Sequence, residues 1–304
     1  MSLIQRSSFQ SDLLPIIRKW EGDNLKVYDS LVPKIMEEEA SNSAFEVDGV
    51  LMGMSVLQNK DEGAPLKYDT SRQMYTPRFN HLTYALGFKI SMEMQMDGSA
   101  MKNANRFTKM LVKAASQTKD ILAANVLNNG YTSGKTQDGG DGVILFSASH
   151  PSPVGVQSNT IASNADLSEA SIETLFIQIR NALDDRGIHA NIMPRKIVAN
   201  VALEPELNRI LGNPDRPATA DRDINYINRS GMFPQGHVTS PFLTDLDQFV
   251  ILTDVMEGLK FFNRADLAID SDNEFDTKNA AFSKIIRCST GWVNWRAAYA
   301  SPGV

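Results

Sequence analysis

Cysteine is almost absent from this sequence of 304 residues, in which Cys288 is the only one. No disulfide can form within the chain, and one cysteine with four scattered histidines does not have the spacing of a metal site. Long apolar runs are missing too, because no segment reaches the roughly 18 apolar residues that a membrane span needs. The first residues lack the apolar core of a signal peptide. These absences predict a soluble protein made in the cytosol, with no metal, no cofactor and no membrane partner.

Motifs for phosphate binding and catalysis are missing as well. The run Gly-Gly-Asp-Gly at 139–142 has the spacing of neither phosphate-binding glycine motif. The net charge of −6 implies no bulk attraction to nucleic acid or to anionic membranes. His150 follows Ser149, but the chain has no Gly-x-Ser-x-Gly elbow. We therefore predict a structural His150 and no catalytic residues, and a cytosolic hydrolase that uses Ser149 and His150 stays open as an alternative.

The most informative stretch covers residues 99–129, where apolar or small residues recur in steps of three and four. This spacing puts them on one stripe of an α-helix. A helix of about 30 residues would be roughly 45 Å long, whereas the average is about 11–12 residues. The stripe of apolar or small residues contains Ala104, Phe107, Leu111, Ala114, Thr118, Leu122 and Val126. A separate basic stripe at helical spacing contains Lys102, Arg106, Lys109 and Lys113.

Extended structure is predicted before this helix. Residues 84–94 are apolar at every second position, which predicts a strand with one buried face. Residues 50–57 and 74–86 also favour extended backbone, and the sequence between them contains the turn residues of 61–65. Together they predict a long hairpin over residues 46–83. Because a two-stranded ribbon is marginal alone in water, we expect it to lie on another chain and to bury Leu51, Val56, Tyr75 and Phe79 there.

The remaining segments mix helices and strands and so indicate an α+β fold. Residues 1–30 are predicted to form an arm, either flexible or paired with a neighbouring copy. The three glutamates at 37–39 indicate the solvated face of a helix. Ser168 is predicted to cap a second helix that ends near residue 185. Short strands are predicted at 196–201, 249–252 and 259–262, followed by an extended stretch at 282–297.

The order of these parts resembles that of tailed-bacteriophage major capsid proteins with the Hong Kong 97 fold. Residues 141–151, DGVILFSASHP, followed by Asn159 and by LSEA at 167–170, look like a recurrent stretch of one phage-capsid group. The ending, from FVIL at 249–252 through FFNR at 261–264 to AAYA at 297–300, is also similar. The likeness covers nearly the whole chain, and it is carried by the ordered set rather than by any single motif.

The resemblance implies a division into four parts. Residues 1–30 would be the N-terminal arm, and the hairpin at 46–83 would be the extended E-loop. Residues 31–45, 84–194 and 256–304 would form the peripheral domain, with the spine helix at about 99–129. Residues 195–255 would form the axial domain.

The same resemblance implies a function without catalysis. The chain would be a major capsid protein that assembles into pentamers and hexamers of an icosahedral shell around double-stranded DNA. It would be located in the virion and assembled in the cytoplasm of a bacterial host. An encapsulin-type compartment shell, which shares the fold, is the second interpretation.

The expected partners follow from the same likeness. The hairpin begins near residue 46, which leaves no room for an extra N-terminal scaffolding domain, so a separate scaffolding protein, a portal and a cement or decoration protein are expected. No cross-linking Lys, Asn or Glu of the family can be matched here. The basic stripe of the spine helix would face packaged DNA without reading its sequence. The alternatives are that it pairs with acidic groups of a neighbouring E-loop or arm, or is simply solvated.

Overall fold

Helices and strands alternate irregularly along the chain, which confirms the α+β class. The computed structural model describes residues 6–91, 93–94, 100–133, 139–215, 224–273 and 279–304. Within them, no helix is both long enough and apolar enough to cross a membrane. The helices are α1 (Arg6–Leu25), α2 (Val32–Ile35), α3 (Ala100–Asn128), α4 (Glu169–Arg180), α5 (Glu204–Gly212) and α6 (Tyr226–Arg229). The strands are β1 (Glu37–Ala40), β2 (Phe45–Val47), β3 (Arg78–Asn80), β4 (Leu82–Ile90), β5 (Pro194–Asn200), β6 (His237–Ser240), β7 (Phe249–Thr253), β8 (Leu259–Asp266), β9 (Asp270–Asn273), β10 (Ala280–Trp292) and β11 (Ala298–Ser301).

The long helix is present as predicted, and α3 is called the spine helix below. It has 29 residues, and its apolar stripe faces the protein, with Ala104, Leu111 and Val126 buried. The stripe packs on strands β4 and β10 and on helix α1. The predicted strand at 84–94 is β4, which begins two residues earlier and ends at Ile90, so its predicted end is wrong: Glu93 and Met94 are helical. The predicted start of the helix at residue 99 lies outside the described residues.

A five-stranded sheet lies beside the spine helix. Its central strand is β10, which pairs antiparallel with β4 along one edge and with β8 and β9 along the other. Alternate residues of β10 are buried, as expected for a strand with one face on the core. The outermost strand is β1, parallel to β8. The predicted helix at 37–39 is therefore wrong: backbone pairing with β8, as between Glu38 and Phe261, holds these exposed glutamates in an edge strand.

A second sheet has the strand order β11-β7-β5-β6. Three of its strands come from the segment predicted as the axial domain, and the fourth, β11, comes from the end of the chain. Residues 256–304 contribute to both sheets, because β10 joins the first sheet and β11 joins the second. The main core is continuous across both regions and contains Leu127, Phe146, Ile197 and Tyr299.

The N-terminal segment differs from the predicted loose arm within this chain. It forms α1, which buries Leu13 and Ile17 beside Leu111 and Phe282. A charged network holds it: Lys284 Nζ lies 2.7 Å from Glu21 Oε1 and 2.5 Å from Asp266 Oδ1. Burial lowers the pKa of Lys284, but its hydrogen bonds to Asp266 and Glu21 raise the pKa by more, so the net pKa is raised. Apolar burial and paired charge thus dock α1 on its own subunit.

Candidate assembly surface

The E-loop is a hairpin whose base is a short ladder. Strands β2 and β3 pair antiparallel, with Glu46 opposite Phe79. Beyond the ladder the two branches are joined by backbone hydrogen bonds between Val50 and the residues opposite it, and by an isolated bridge between Leu51 and Gln73. The predicted hairpin is present, but it is less regular than two continuous strands.

Of the four residues predicted to contact a neighbour, Phe79 is buried inside this subunit and Tyr75 is partly buried there. Phe79 is 6% exposed and its ring is 5.0 Å from that of Phe262, in a small core that also holds Val50 and Val293. Tyr75 packs against the same core, and burial raises the pKa of its hydroxyl to about 12. The prediction is corrected for both residues, because the alternation in 74–79 identifies a buried face but not which chain buries it.

The base of the E-loop is also fitted to a glycine-rich loop at 139–142. A Cβ at Gly140 would lie 2.8 Å from Pro77, and a Cβ at Gly139 would lie 1.9 Å from the ring of Trp292. Side chains at either position would push the loop away from the core or from the hairpin. The sequence predicts only a loop at these glycines, and in the structure they permit close packing at the base of the E-loop.

The outer part of the E-loop, residues 54–68, is called the tip. It exposes large apolar side chains to solvent, with Leu57 at 98% and Tyr68 at 91%. Single exposed apolar residues are ordinary, whereas several on one projecting segment indicate an interaction site. Leu51, just before the tip, and Val56 within it are both exposed, so both remain available to a neighbour. The other exposed apolar residues of the tip are Met54 and Leu66.

A groove of about 440 Å³ lies between the spine helix and strand β4 of the first sheet. Its walls include Leu86 and Ile286 from the strands and Leu111 and Ala115 from the helix. Leu82 and Leu86 of β4 are more than half exposed. The strand predicted to bury one face therefore buries only the end near Ile90, and leaves an apolar strip at the surface.

The basic stripe of the spine helix is exposed along its whole length. All four of its residues are open to solvent, and none makes an ion pair with another residue that the structure describes. The next lysine of the helix differs, because Lys119 lies 2.6 Å from Asp266. The stripe is thus free to meet an anion or an acidic partner outside the subunit; its members are Lys102, Arg106, Lys109 and Lys113.

His150 sits in a wholly buried ion pair. Its Nδ1 lies 2.8 Å from Asp141 Oδ2, and both side chains have no exposed area. Its Nε2 lies 3.2 Å from Leu145 O and from Asn159 Oδ1, and its ring stacks on Trp295 at 4.5 Å and 5°. The side-chain nitrogen of Asn159 donates to three backbone carbonyls, so the side-chain oxygen is the atom that faces His150. Both ring nitrogens are thus engaged by oxygen atoms within the same subunit.

This arrangement does not form a serine–histidine pair. The hydroxyl of Ser149 contacts that of Ser147 at 3.3 Å, and the ring nitrogens of His150 are taken by other partners. The hydrolase alternative requires His150 to contact the hydroxyl of Ser149 as its base, and this contact is not present. Across the described residues, no three His, Cys, Asp or Glu side chains are grouped to hold a metal ion.

Several important residues gave no signal in the sequence. Leu57 ends a stretch predicted to be extended and Tyr68 follows the turn residues, and neither position indicates by itself that the side chain stays exposed. Asp141 precedes His150 by nine positions, a spacing with no motif. Arg186, in a turn after α4, donates to backbone carbonyls of the E-loop, and nothing local predicts that contact.

Comparison with known proteins gives a consistent result. A family model described as phage capsid protein matches residues 76–301, which is most of the chain. No protein of curated function matches by sequence.

Solved structures share the fold at low identity. The capsid of a native GTA particle is 11% identical, with a TM-score of 0.58 over 88% of each chain. A virus-like particle from Pyrococcus furiosus is 13% identical, with a TM-score of 0.53 over 94% of this chain and 97% of that one. The procapsid of bacteriophage JBD30 is 13% identical, with a TM-score of 0.53 over 97% of this chain and 75% of that one.

Proposed function

The chain belongs to the phage capsid protein family and is a major capsid shell protein, and we propose that it closes its shell by laying the E-loop tip of each copy over its neighbour. The family match favours a phage head over an encapsulin-type compartment. The observation that carries the proposal is the set of exposed apolar side chains on the tip, which nothing in the subunit covers.

The groove between the spine helix and β4 is the receiving surface in this proposal. It is apolar, belongs to the same chain and is open in the single subunit. A contact between the tip of one copy and the groove of the next is heterologous, and such contacts form closed rings when the rotation between copies closes. Each large apolar side chain that becomes fully buried contributes about 1.5–3 kcal/mol. Pentamers and hexamers of an icosahedral shell are the rings that we propose.

The four-part division is also part of the proposal, in modified form. The E-loop at 46–83 and the spine helix keep their predicted roles, and the segment at 195–255 would surround the centre of each ring. The N-terminal segment at 1–30 would act from its docked position on the spine. A separate scaffolding protein, a portal and a cement or decoration protein would complete the head, which would be assembled in the bacterial cytoplasm and would enclose double-stranded DNA.

The basic stripe would line the interior and moderate repulsion between an acidic protein and packaged DNA. The role is supported by the exposure of the stripe and by the absence of ion pairs with any other residue that the structure describes. Pairing with acidic groups of a neighbour is the competing role. The interaction would be with phosphates, so it would carry no sequence preference and would weaken with salt.

A triple change of Lys102→Gln, Lys109→Gln and Lys113→Gln tests both the shell and the stripe. We expect wild-type and variant proteins to form the same empty shells, because the stripe makes no apolar contact. Packaged variant particles should release DNA at lower temperature than wild-type particles. Lys26→Gln, Arg209→Gln and Arg229→Gln remove the same charge outside the spine and serve as the control. Failure of the variant alone to form empty shells would make the stripe a contact between subunits; failure of the wild type would refute the shell function.

A further inference from the structure

One side chain, Arg186, joins the two branches of the E-loop to the body of the same subunit. Its Nε donates to Gly53 O at 2.6 Å, and a terminal nitrogen donates to Thr70 O at 2.6 Å. The other terminal nitrogen lies 3.1 Å from Asp69 Oδ1. Gly53 is on the outgoing branch and Thr70 on the returning one, so a single planar guanidinium bridges both. Its five fixed donors suit it to such a bridge.

The turn that carries Arg186 is itself fixed to the core. Gly187 adopts a φ of +79°, and hydrogen bonds from Gly187 to Asp184 and from Asp184 to Ile188 close the turn. Between them, Asp185 forms a buried pair with Arg296 at 2.9 Å. Arg296 also donates to Leu183 O at 3.1 Å. Arg186 therefore projects from a rigid support.

The E-loop approaches this turn closely at Gly53. A Cβ at Gly53 would lie 2.4 Å from Asp184 Oδ2, and the carboxylate of Asp184 is held by a hydrogen bond from Asp185 N to its Oδ1. A side chain at residue 53 would therefore force the branch or this carboxylate to shift. Asp69 links the branches further, since its Oδ2 accepts from the backbone nitrogen and the hydroxyl of Ser55 at 2.7 Å. These hydrogen bonds lower the pKa of Asp69 to about 2. Its carboxylate thus stays charged at neutral and mildly acidic pH.

We propose that Arg186 is a latch that holds the E-loop in its assembly-competent direction before the neighbouring subunit arrives. The latch contacts residues 53, 69 and 70, at the two ends of the tip, and leaves the apolar side chains of the tip free. It lies where the regular pairing of the hairpin has ended, beyond the bridge between Leu51 and Gln73. Without it, the tip would have to be ordered during assembly. This inference rests on the proposed function of the E-loop.

Two variants open the latch from opposite sides. Arg186→Gln removes the bridge, and Gly53→Ala pushes the branch away from Asp184 while leaving Arg186 in place. In the unassembled subunit, both variants should speed amide hydrogen exchange over residues 53–70 by roughly tenfold, because each lowers the free energy of local opening of this segment. Both should raise the protein concentration needed for assembly by roughly tenfold, because a preorganised loop loses less entropy on binding. Arg186→Lys should give an exchange rate and an assembly concentration between those of the two variants and those of the wild type. The reason is that an ammonium group cannot bridge both carbonyls in one plane.

Arg72→Gln is the matched control. Arg72 is an exposed arginine of the same loop, and its side chain has no hydrogen bond or ion pair with any residue that the structure describes, so this variant should behave as the wild type. Equal exchange and equal assembly thresholds for Arg186→Gln, Gly53→Ala and the wild type would overturn the latch. A lower threshold for the opened variants would also overturn it, because the contact would then oppose assembly. If the wild type never assembles, the proposed function fails, while the exchange comparison still reports on the latch.

Discussion

Replacing Val56 and Leu57 together by aspartate should give a folded subunit that does not assemble. In the free subunit Val56 is 67% exposed and Leu57 is 98% exposed, so the change removes little intrachain packing. In the proposed contact both side chains are buried, and their loss would raise the assembly concentration by at least about 100-fold, from about 1.5 kcal/mol or more for each. Burying two carboxylates would add to this cost. Light scattering against protein concentration measures the effect.

The control keeps the apolar character of the same positions. Val56→Ile with Leu57→Met should assemble as the wild type does, since volume-conserving apolar changes are well tolerated. Deletion of Asn59–Lys67 should resemble the aspartate variant, because it removes most of the tip while the ladder at the base remains. All these proteins should have the melting temperature of the wild-type subunit. Normal shells from the aspartate variant or from the deletion would show that the tip is not a contact.

The second large effect concerns the fold itself. His150→Gln should destabilise the subunit by about 3–5 kcal/mol, because it leaves the Asp141 carboxylate buried without its partner. The stacked contact with Trp295 is lost as well. For a chain of this length the melting temperature should fall on the order of 10 °C. Chemical denaturation and thermal melting both measure it.

Two further variants identify the ion pair as the cause. Asp141→Asn combined with His150→Gln should recover part of the loss, since neither partner is then left charged and alone. His189→Gln changes an exposed histidine and should stay within about 0.5 kcal/mol of the wild type. A loss below about 1 kcal/mol for His150→Gln would contradict the stabilising role of the buried pair between His150 and Asp141.

Features with a local period could be predicted from the sequence. The spine helix and strand β10 both follow their repeats, because each has one continuous apolar face. The serine cap of α4 is present as predicted, with Ser168 accepting from Ser171, but the helix ends at Arg180 and not near residue 185. The spine helix, β10 and the cap depend on residues close in sequence, so the sequence alone was enough to predict them.

Features that depend on distant partners could not be predicted. Phe79 of β3 packs against Phe262 of β8, 183 positions away, and no pattern near either residue shows which chain buries them. The docking of α1 depends on Lys284, at the other end of the chain. The exposed tip of the E-loop is the converse case, because exposure of Leu57 is visible only once every other segment has been placed.

The most direct test of the central claim is an electron cryomicroscopy map of particles assembled from the wild-type chain. We expect residues 54–68 of each copy to lie over the groove between the spine helix and β4 of an adjacent copy, with Val56 and Leu57 buried there. We also expect Arg186 to lie between the branches of its own E-loop. A map in which the tips project into solvent, or in which another segment fills the groove, would contradict the proposed contact.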